Sequence, residues 1–404
     1  MKVAIIGGGA AGFFAAIHAK ENHPKAEVLI LEKTKKILAK VKISGGGRCN
    51  VTNACTSIKE LTAAYPRGGK FLKRLLTEFS TAETREWFEA RGVPLMVQDD
   101  QCVFPVSQDS QSIIDCLLSE CERMDIHILT QHNVMEVKAA DSQVELLIGK
   151  DKEVLLVDKV IVATGGSPKL SGLTWLAELG HEIVSPVPSL FTFNMPAEHI
   201  TELMGVVVNP AMVKIQGTKL QACGPLLITH WGMSGPAILK LSAIGARDLA
   251  NLGYECVASV NWVNVMNQEV VKEEIKKIER EHPKKQLSNI RPYQLPVRLW
   301  HYLINRAGLD LVKPCGELGK KGINVLVKVL TNDEYQVKGK TTFKEEFVTA
   351  GGVSLDSINP KTMESTVFPN LYFTGEVMDI DGITGGYNFQ AAWTTGYFAG
   401  KLIS

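Results

Sequence analysis

The residues best placed to do chemistry come first in the chain. Gly7-Gly8-Gly9-Ala10-Ala11-Gly12 is a GxGxxG run between the apolar stretch Val3-Ala4-Ile5-Ile6 and a helical pattern reaching about Lys20. In such a strand, turn and helix, Gly7 permits the tight turn, Gly9 lets a diphosphate approach the backbone, and Gly12 lets helix and strand pack closely. The helix N-terminus offers the anion unpaired N–H groups and a partial positive charge. Glu32 stands 20 residues after Gly12, at the end of a second buried stretch, Val28-Leu29-Ile30-Leu31. A carboxylate there accepts hydrogen bonds from ribose hydroxyls and repels a 2′-phosphate. The expected cargo is therefore FAD or NAD(H), not NADP(H).

Two later segments favour FAD. Val160 to Gly166, VIVATGG, is an apolar strand whose small end, Ala163-Thr164-Gly165-Gly166, suits a backbone passing close to a bound cofactor. Near the C-terminus, LYFTGEVMDIDGITGGYNFQAA places a strand, Gly375-Glu376, a Gly-rich loop and a helix start near Asn388 in succession. Glu376 can hold ribityl hydroxyls, and the helix can direct N–H groups at a flavin ring. A nicotinamide dehydrogenase has no need of this distant clasp. Only one GxGxxG is present, so NAD(P)H is expected as a transient donor without a domain of its own.

Ser44-Gly45-Gly46-Gly47-Arg48-Cys49-Asn50 is a third cluster. Its glycines let backbone lie against a flat ring, while Arg48 and Asn50 can bond the ring's polar edge or the diphosphate. Arg48 either stabilises the charge of a reduced flavin or only contacts phosphate. Cys49 has no CxxC partner and reads as a packed thiol. His230, in ITHWGMSGP, is either a proton donor or a residue that caps and packs its sheet. Asp379, Asp381 and Tyr387 either face a substrate or, for the two carboxylates, satisfy loop N–H groups. No calcium loop or Cys/His metal pattern is present, and no metal is expected.

The elements that must position these groups follow from composition and periodicity. With 404 residues the chain suits two or three domains. Lys plus Arg number 44 against 43 Asp plus Glu, so no global field draws the chain to nucleic acid or an anionic membrane. No apolar stretch reaches the roughly 18 residues of a membrane span. A start that runs directly into a strand leaves no room for a secretory signal, and a soluble, cytoplasmic protein is expected. Residues 34–53 read as a basic Gly-rich loop, 93–105 as a hairpin, 127–140 as one strand, and 153–166 as one apolar strand running into glycines. From Pro186 short β-like runs broken by Gly and Pro begin, and helical patterns fill 266–330.

GxGxxG with Glu32, the ATGG segment and the terminal TGE and TGGYN stretch resemble the two-dinucleotide-fold flavoproteins. SGGGRCN and GPLLITHWGMSGPAIL narrow this to a bacterial family of predicted flavoproteins, the BaiN-like NAD(P)/FAD-dependent oxidoreductases. The resemblance covers essentially the whole chain. It implies an α/β fold: a Rossmann-like, glutathione-reductase-type FAD domain (1–188 and 345–404), interrupted by a β-barrel-like domain (189–265 and 331–344) with a small helical subdomain (266–330). FAD would be held by Gly7, Gly9, Ala11, Gly12, Glu32, Lys33, the Ser44 to Asn50 loop, the backbone of Val134, Ala163 to Gly166, Glu376, Asn388, Phe389 and Gln390. The reaction would move a hydride between flavin N5 and a small organic substrate, with His230, Arg48 or Tyr387 assisting. The rival expectations are an FAD-dependent tRNA-modifying enzyme, for which the short charge run near 279–286 is a weak sign, and a flavin-binding sensor or scaffold.

Overall fold

The computed structural model describes the chain except residues 152, 342–347 and 404. Contacts divide it into two units, Met1–Ser189 with Phe343–Ser404, and Leu190–Thr342. The expected return at 344/345 lies outside the described residues.

The first unit is built on a five-stranded parallel sheet in the order Leu371–Phe373, Lys159–Val162, Lys2–Ile6, Glu27–Glu32, His127–Thr130. Ile5 pairs in register with both Ile30 and Ile161, and residues 3–5 are fully buried, as a parallel strand covered on both faces must be. Strand order brings Gly7, Ala163 and Thr374 to one edge, because all five strands run in the same direction.

Helices from the two ends of the chain meet beside this sheet. Ala10–Asn22 follows the Gly turn, and Tyr387–Ala399 closes the chain. Small residues allow close approach: a Cβ on Gly400 would lie 2.7 Å from His18 Cβ and 2.8 Å from Ala15 O. Around the seam Phe14 packs within 4.7 Å of Trp87 and 5.2 Å of Trp393, ring centre to ring centre. Burying a side chain of this size contributes on the order of 2 kcal/mol, which fastens the C-terminal clasp to the N-terminal cradle.

Three local expectations are corrected. The stretch expected as loop from 34 to 53 contains a helical turn, because Leu38 and Val41 are buried three residues apart; Ser44, Gly45 and Gly46 then leave helical geometry. The single strand expected over 127–140 is two, His127–Thr130 in the parallel sheet and Val134–Ala140 in an antiparallel one, with Gln131 at φ +62° between them. The run 153–162 likewise breaks at Asp158, whose carboxylate accepts the Lys2 N–H at 2.6 Å.

The second unit is a seven-stranded sheet. Asp333–Lys338 pairs with Glu255–Asn261, and the next residues, Lys340–Thr341, pair with Thr192–Asn194. One stretch of chain thus borders both ends of the sheet and closes it into a barrel. Gln268–Glu281, Val297–Arg306 and Gly319–Thr331 bury Val271, Trp300, Leu303 and Leu326 in the same apolar core as the barrel's Val213 and Tyr335. Among the described residues no helix is long and apolar enough to cross a membrane.

Candidate functional site

The Gly turn is closed on one side and open on the other. Gly7, at φ +117°, has its N–H on Leu31 O at 2.9 Å, and a Cβ there would lie 2.4 Å from Ala163 O. A Cβ on Gly12 would lie 2.0 Å from Gly7 O. These two glycines are required by the protein's own packing. Gly9 differs: its φ of −95° and ψ of −175° suit any residue, yet a Cβ would meet no protein atom within 4 Å. The space beside Gly9 is open.

Glu32 braces the turn, its carboxylate accepting the Gly8 N–H at 2.9 Å and the Thr34 N–H at 2.8 Å. Lys33 is exposed beside it. His132 N–H bonds Glu32 O at 2.9 Å, which carries the backbone of Val134 past the same strand end. Ala11 faces the clasp, since a Cβ on Gly375 would lie 2.8 Å from Ala11 Cβ.

In the second cluster Gly45, Gly46 and Gly47 have φ of +58°, +71° and +86°, a run only glycine adopts without strain. Gly46 and Gly47 open to free space, whereas Phe104 closes Gly45. Ser44 Oγ donates to Val41 O at 3.1 Å. Arg48 is braced by Gly45 O, by Gln108 Oε1 and by the Phe104 ring, its guanidinium carbon 4.2 Å from the ring centre. Cys49 is fully buried, and burial pushes its thiol up to about 12. With its amide turned to suit its neighbours, Asn50 donates to Val103 O and Thr52 O and accepts the Gly386 N–H, tying this loop to the clasp.

The clasp is reached through Thr374, whose N–H bonds Val162 O at 3.0 Å. Gly165, at φ +73°, is open, while Gly166 is closed by the Glu376 carboxylate and the Thr349 hydroxyl. Glu376 accepts from Lys40 Nζ at 2.8 Å and from the Thr349 N–H at 2.8 Å. In the last helix the Gln390 N–H is the first to bond within the helix, to Gly386 O, so the N–H groups of Tyr387, Asn388 and Phe389 precede the ladder. The Asn388 side chain bonds Gly382 through both N–H and O, and the Phe389 ring stacks on Trp393. Gln390 points inward: fully buried, it bonds Thr52 and Thr394. Its expected cofactor contact has neither a free side chain nor a free N–H, because the helix and the core use both.

Among the groups expected to assist chemistry, Tyr387 sits in the first turn of this helix, its carbonyl accepting from Tyr65 OH at 2.8 Å. Burial pushes its phenol up to about 12, so it stays protonated at neutral pH. Asp381 is fully buried and held by Arg67 and Ser189, which makes it a tie within the loop and not a substrate contact. His230 lies in the second unit, exposed at the turn between Gln221–Thr229 and Gly232–Ser234, with Trp231 edge-on at 4.5 Å. Lys40, Tyr65, Arg67 and Thr349 are absent from the sequence reading. Their partners lie up to 336 residues away, a distance at which no local pattern gives a signal.

The cradle fits a flavin dinucleotide on its own geometry: open glycines at 9, 46, 47 and 165, a ribose-level carboxylate, and a helix start with unladdered N–H groups. The description of the HI0933-like protein Rossmann domain matches residues 1–402. The chain belongs to this family. It is similar to the 3-dehydro-bile acid delta(4,6)-reductase of Clostridium scindens, with 28% identity over 100% of this chain and 99% of that one. It is also similar to the ribosomal RNA dihydrouridine synthase of Haemophilus influenzae, with 30% identity over 99% and 98%. The fold of the 3-ketosteroid-delta4-(5alpha)-dehydrogenase from Rhodococcus jostii aligns with a TM-score of 0.51 at 13% identity, over 98% of this chain and 96% of that one, a likeness of fold alone. By family this is an HI0933-like Rossmann chain, similar over its full length to a reductase.

Proposed function

We propose that the chain reduces a carbon–carbon double bond conjugated with a carbonyl. The observation that carries this reading is the cradle of open glycines with its clasp, which suits FAD within one unit, in a chain matching two reductive relatives along its full length. The relatives' names share one chemistry: the delta(4,6) pair of double bonds conjugated with a 3-oxo group, and the C5–C6 double bond of uridine conjugated with its C4 carbonyl. Bound FAD would supply a hydride equivalent to the alkene carbon remote from the carbonyl. Gly7, Gly9, Gly12 and the first turn of Ala10–Asn22 would hold the diphosphate, Glu32 the adenosine ribose, and Glu376 the ribityl chain. The N–H groups of Tyr387, Asn388 and Phe389 would meet the electron-rich edge of the ring. Tyr387, kept protonated by burial, would deliver the proton to the carbon next to the carbonyl. NAD(P)H is the proposed donor, visiting the substrate side.

A nucleic-acid substrate, set aside on net charge alone, returns as a second reading because one full-length relative carries an RNA-modifying name. In place of the tRNA considered from sequence, ribosomal RNA is then the substrate to try. The test is to purify the protein, identify the released cofactor, reduce it anaerobically with NADH or NADPH, and offer two oxidants. A 3-oxo-4-ene steroid gaining two hydrogens supports the small-molecule form; ribosomal RNA whose uridine gains two mass units supports the RNA form. A colourless protein that retains no FAD sinks both. Retained FAD with no turnover of either oxidant favours the sensor reading.

A further inference from the structure

We propose that the helical subdomain, residues 266–330, is a docking surface for the phosphate backbone of RNA, held by Lys284, Lys285, Lys313, Lys320 and Lys321. This rests on the ribosomal-RNA reading of the site. The near-zero net charge of the chain hides a segregation. Residues 266–330 carry 13 Lys and Arg against seven Asp and Glu, whereas the rest of the chain carries 31 against 36. The subdomain alone therefore presents the positive field that a polyanion needs.

Some of these cations are committed elsewhere. Lys272 and Lys276 pair along their own helix with Glu269 at 3.5 Å and Glu273 at 2.7 Å, and Arg306 is held by Asp333. The five lysines are gathered instead by a strap, in which residues 283–288 run antiparallel to 311–316. Leu287 N–H bonds Lys313 O at 2.9 Å, Cys315 N–H bonds Lys285 O at 2.8 Å, and Gly316 N–H bonds Pro283 O at 2.9 Å. Leu287 and Cys315 anchor the strap, both fully buried, while Lys284 and Lys285 are exposed and Lys313 is half-buried. The chain then enters Gly319–Thr331, whose first turn carries Lys320 and Lys321, both exposed. A cation there opposes the helix dipole, so the fold gains nothing from either. Among the described residues none of the five forms an ion pair, although Glu281, Asp310 and Glu317 are interleaved with them. Val312 is the one large apolar side chain exposed in the strap and helix start, among the described residues. A membrane surface takes aromatic or aliphatic anchors beside its lysines, so the polyanion that fits is a phosphodiester backbone.

Binding is read by fluorescence anisotropy of an end-labelled, unmodified ribosomal RNA transcript on the full-length, cofactor-loaded protein, from about 50 to 200 mM salt. The parent's log affinity should fall linearly with log salt. Lys284→Gln with Lys285→Gln should weaken binding about tenfold and lower that slope by about 1.4–1.8, and Lys320→Gln with Lys321→Gln should do the same. Lys272→Gln with Lys276→Gln removes as many charges from the same subdomain, but paired ones, and should leave affinity within about twofold. Equal losses in all three pairs, salt-independent binding or no binding by the parent overturns the proposal. So does binding only to phosphatidylserine vesicles, which assigns the surface to a membrane. Unaltered FAD content and melting show that folding is not the cause. A parent that binds the transcript through these lysines yet reduces no uridine refutes the ribosomal-RNA reading and leaves the surface standing. One that reduces uridine equally well with each pair changed refutes the surface and leaves the reading.

Discussion

Gly9→Ala separates what the protein needs from what its cofactor needs. In the cofactor-free chain the new methyl meets no atom within 4 Å, and the backbone there is extended, open to any residue. Two small terms act on stability. Removing a glycine from the unfolded chain gains about 0.4–1 kcal/mol, and alanine is a poorer N-cap than glycine by about 0.5–1 kcal/mol. They nearly cancel, so the stripped protein should melt within about 2 °C of the parent. FAD binding should fall at least about a hundredfold, or ~2.7 kcal/mol, because the methyl fills the diphosphate's approach. Gly12→Ala is the contrasting control. Its Cβ would lie 2.0 Å from Gly7 O, so the backbone itself must shift. Overpacking of this kind costs about 1–3 kcal/mol and should lower melting by about 3–10 °C even without cofactor. Circular dichroism melting and quenching of FAD fluorescence read both effects. A Gly9→Ala protein with parental FAD affinity would show that the diphosphate does not pass there.

Other outcomes follow from single residues. Tyr387→Phe should keep FAD and its reduction by NAD(P)H, yet slow transfer to the unsaturated substrate by roughly 10²–10⁴-fold in stopped-flow traces; equal slowing of both half-reactions would contradict a proton-donor role. With the phenol pushed up to about 12, substrate transfer should show no loss of this donor between pH 7 and 9. The Glu120 carboxylate is held below its ordinary range by hydrogen bonds from Arg123, against the opposing effect of burial, and by Arg91. A depressed folded-state pKa stabilises above the unfolded value and is lost as pH falls through the folded one. Glu120→Gln should therefore flatten the fall of urea stability below about pH 5; an unchanged slope would mean the arginines contribute nothing there. Alkylation at pH 8 should mark exposed Cys223 first and spare Cys49 until the chain unfolds, as peptide mass spectrometry would show.

The first βαβ unit was legible because it is local. Burial on both faces makes Val3 to Ile6 and Val28 to Leu31 continuous apolar runs, and a phosphate turn confines glycine to fixed offsets. The strand breaks at Gln131 and Asp158 were not legible. A left-handed residue and a carboxylate bonded to Lys2, far off in sequence, end those strands, and neither alters the apolar pattern. Gln390 looked like a cofactor contact for a similar reason: its place in the helix is visible in sequence, while the inward turn to Thr52 is not.

From its sequence alone this chain is expected to carry a dinucleotide-type Gly turn at one end, a Gly-rich clasp at the other and a β-rich insertion between them. Those features rest on backbone requirements, which residue type and spacing record directly. The tertiary structure decided which glycines serve the protein and which leave room for a ligand: Gly12 is needed because Gly7 O lies against it, whereas nothing lies against Gly9. It also decided that Lys40 meets Glu376 and that Asp381 is sealed by Arg67. Such pairings join residues more than 300 positions apart, and they exist only once the parallel sheet has brought its strand ends to one edge.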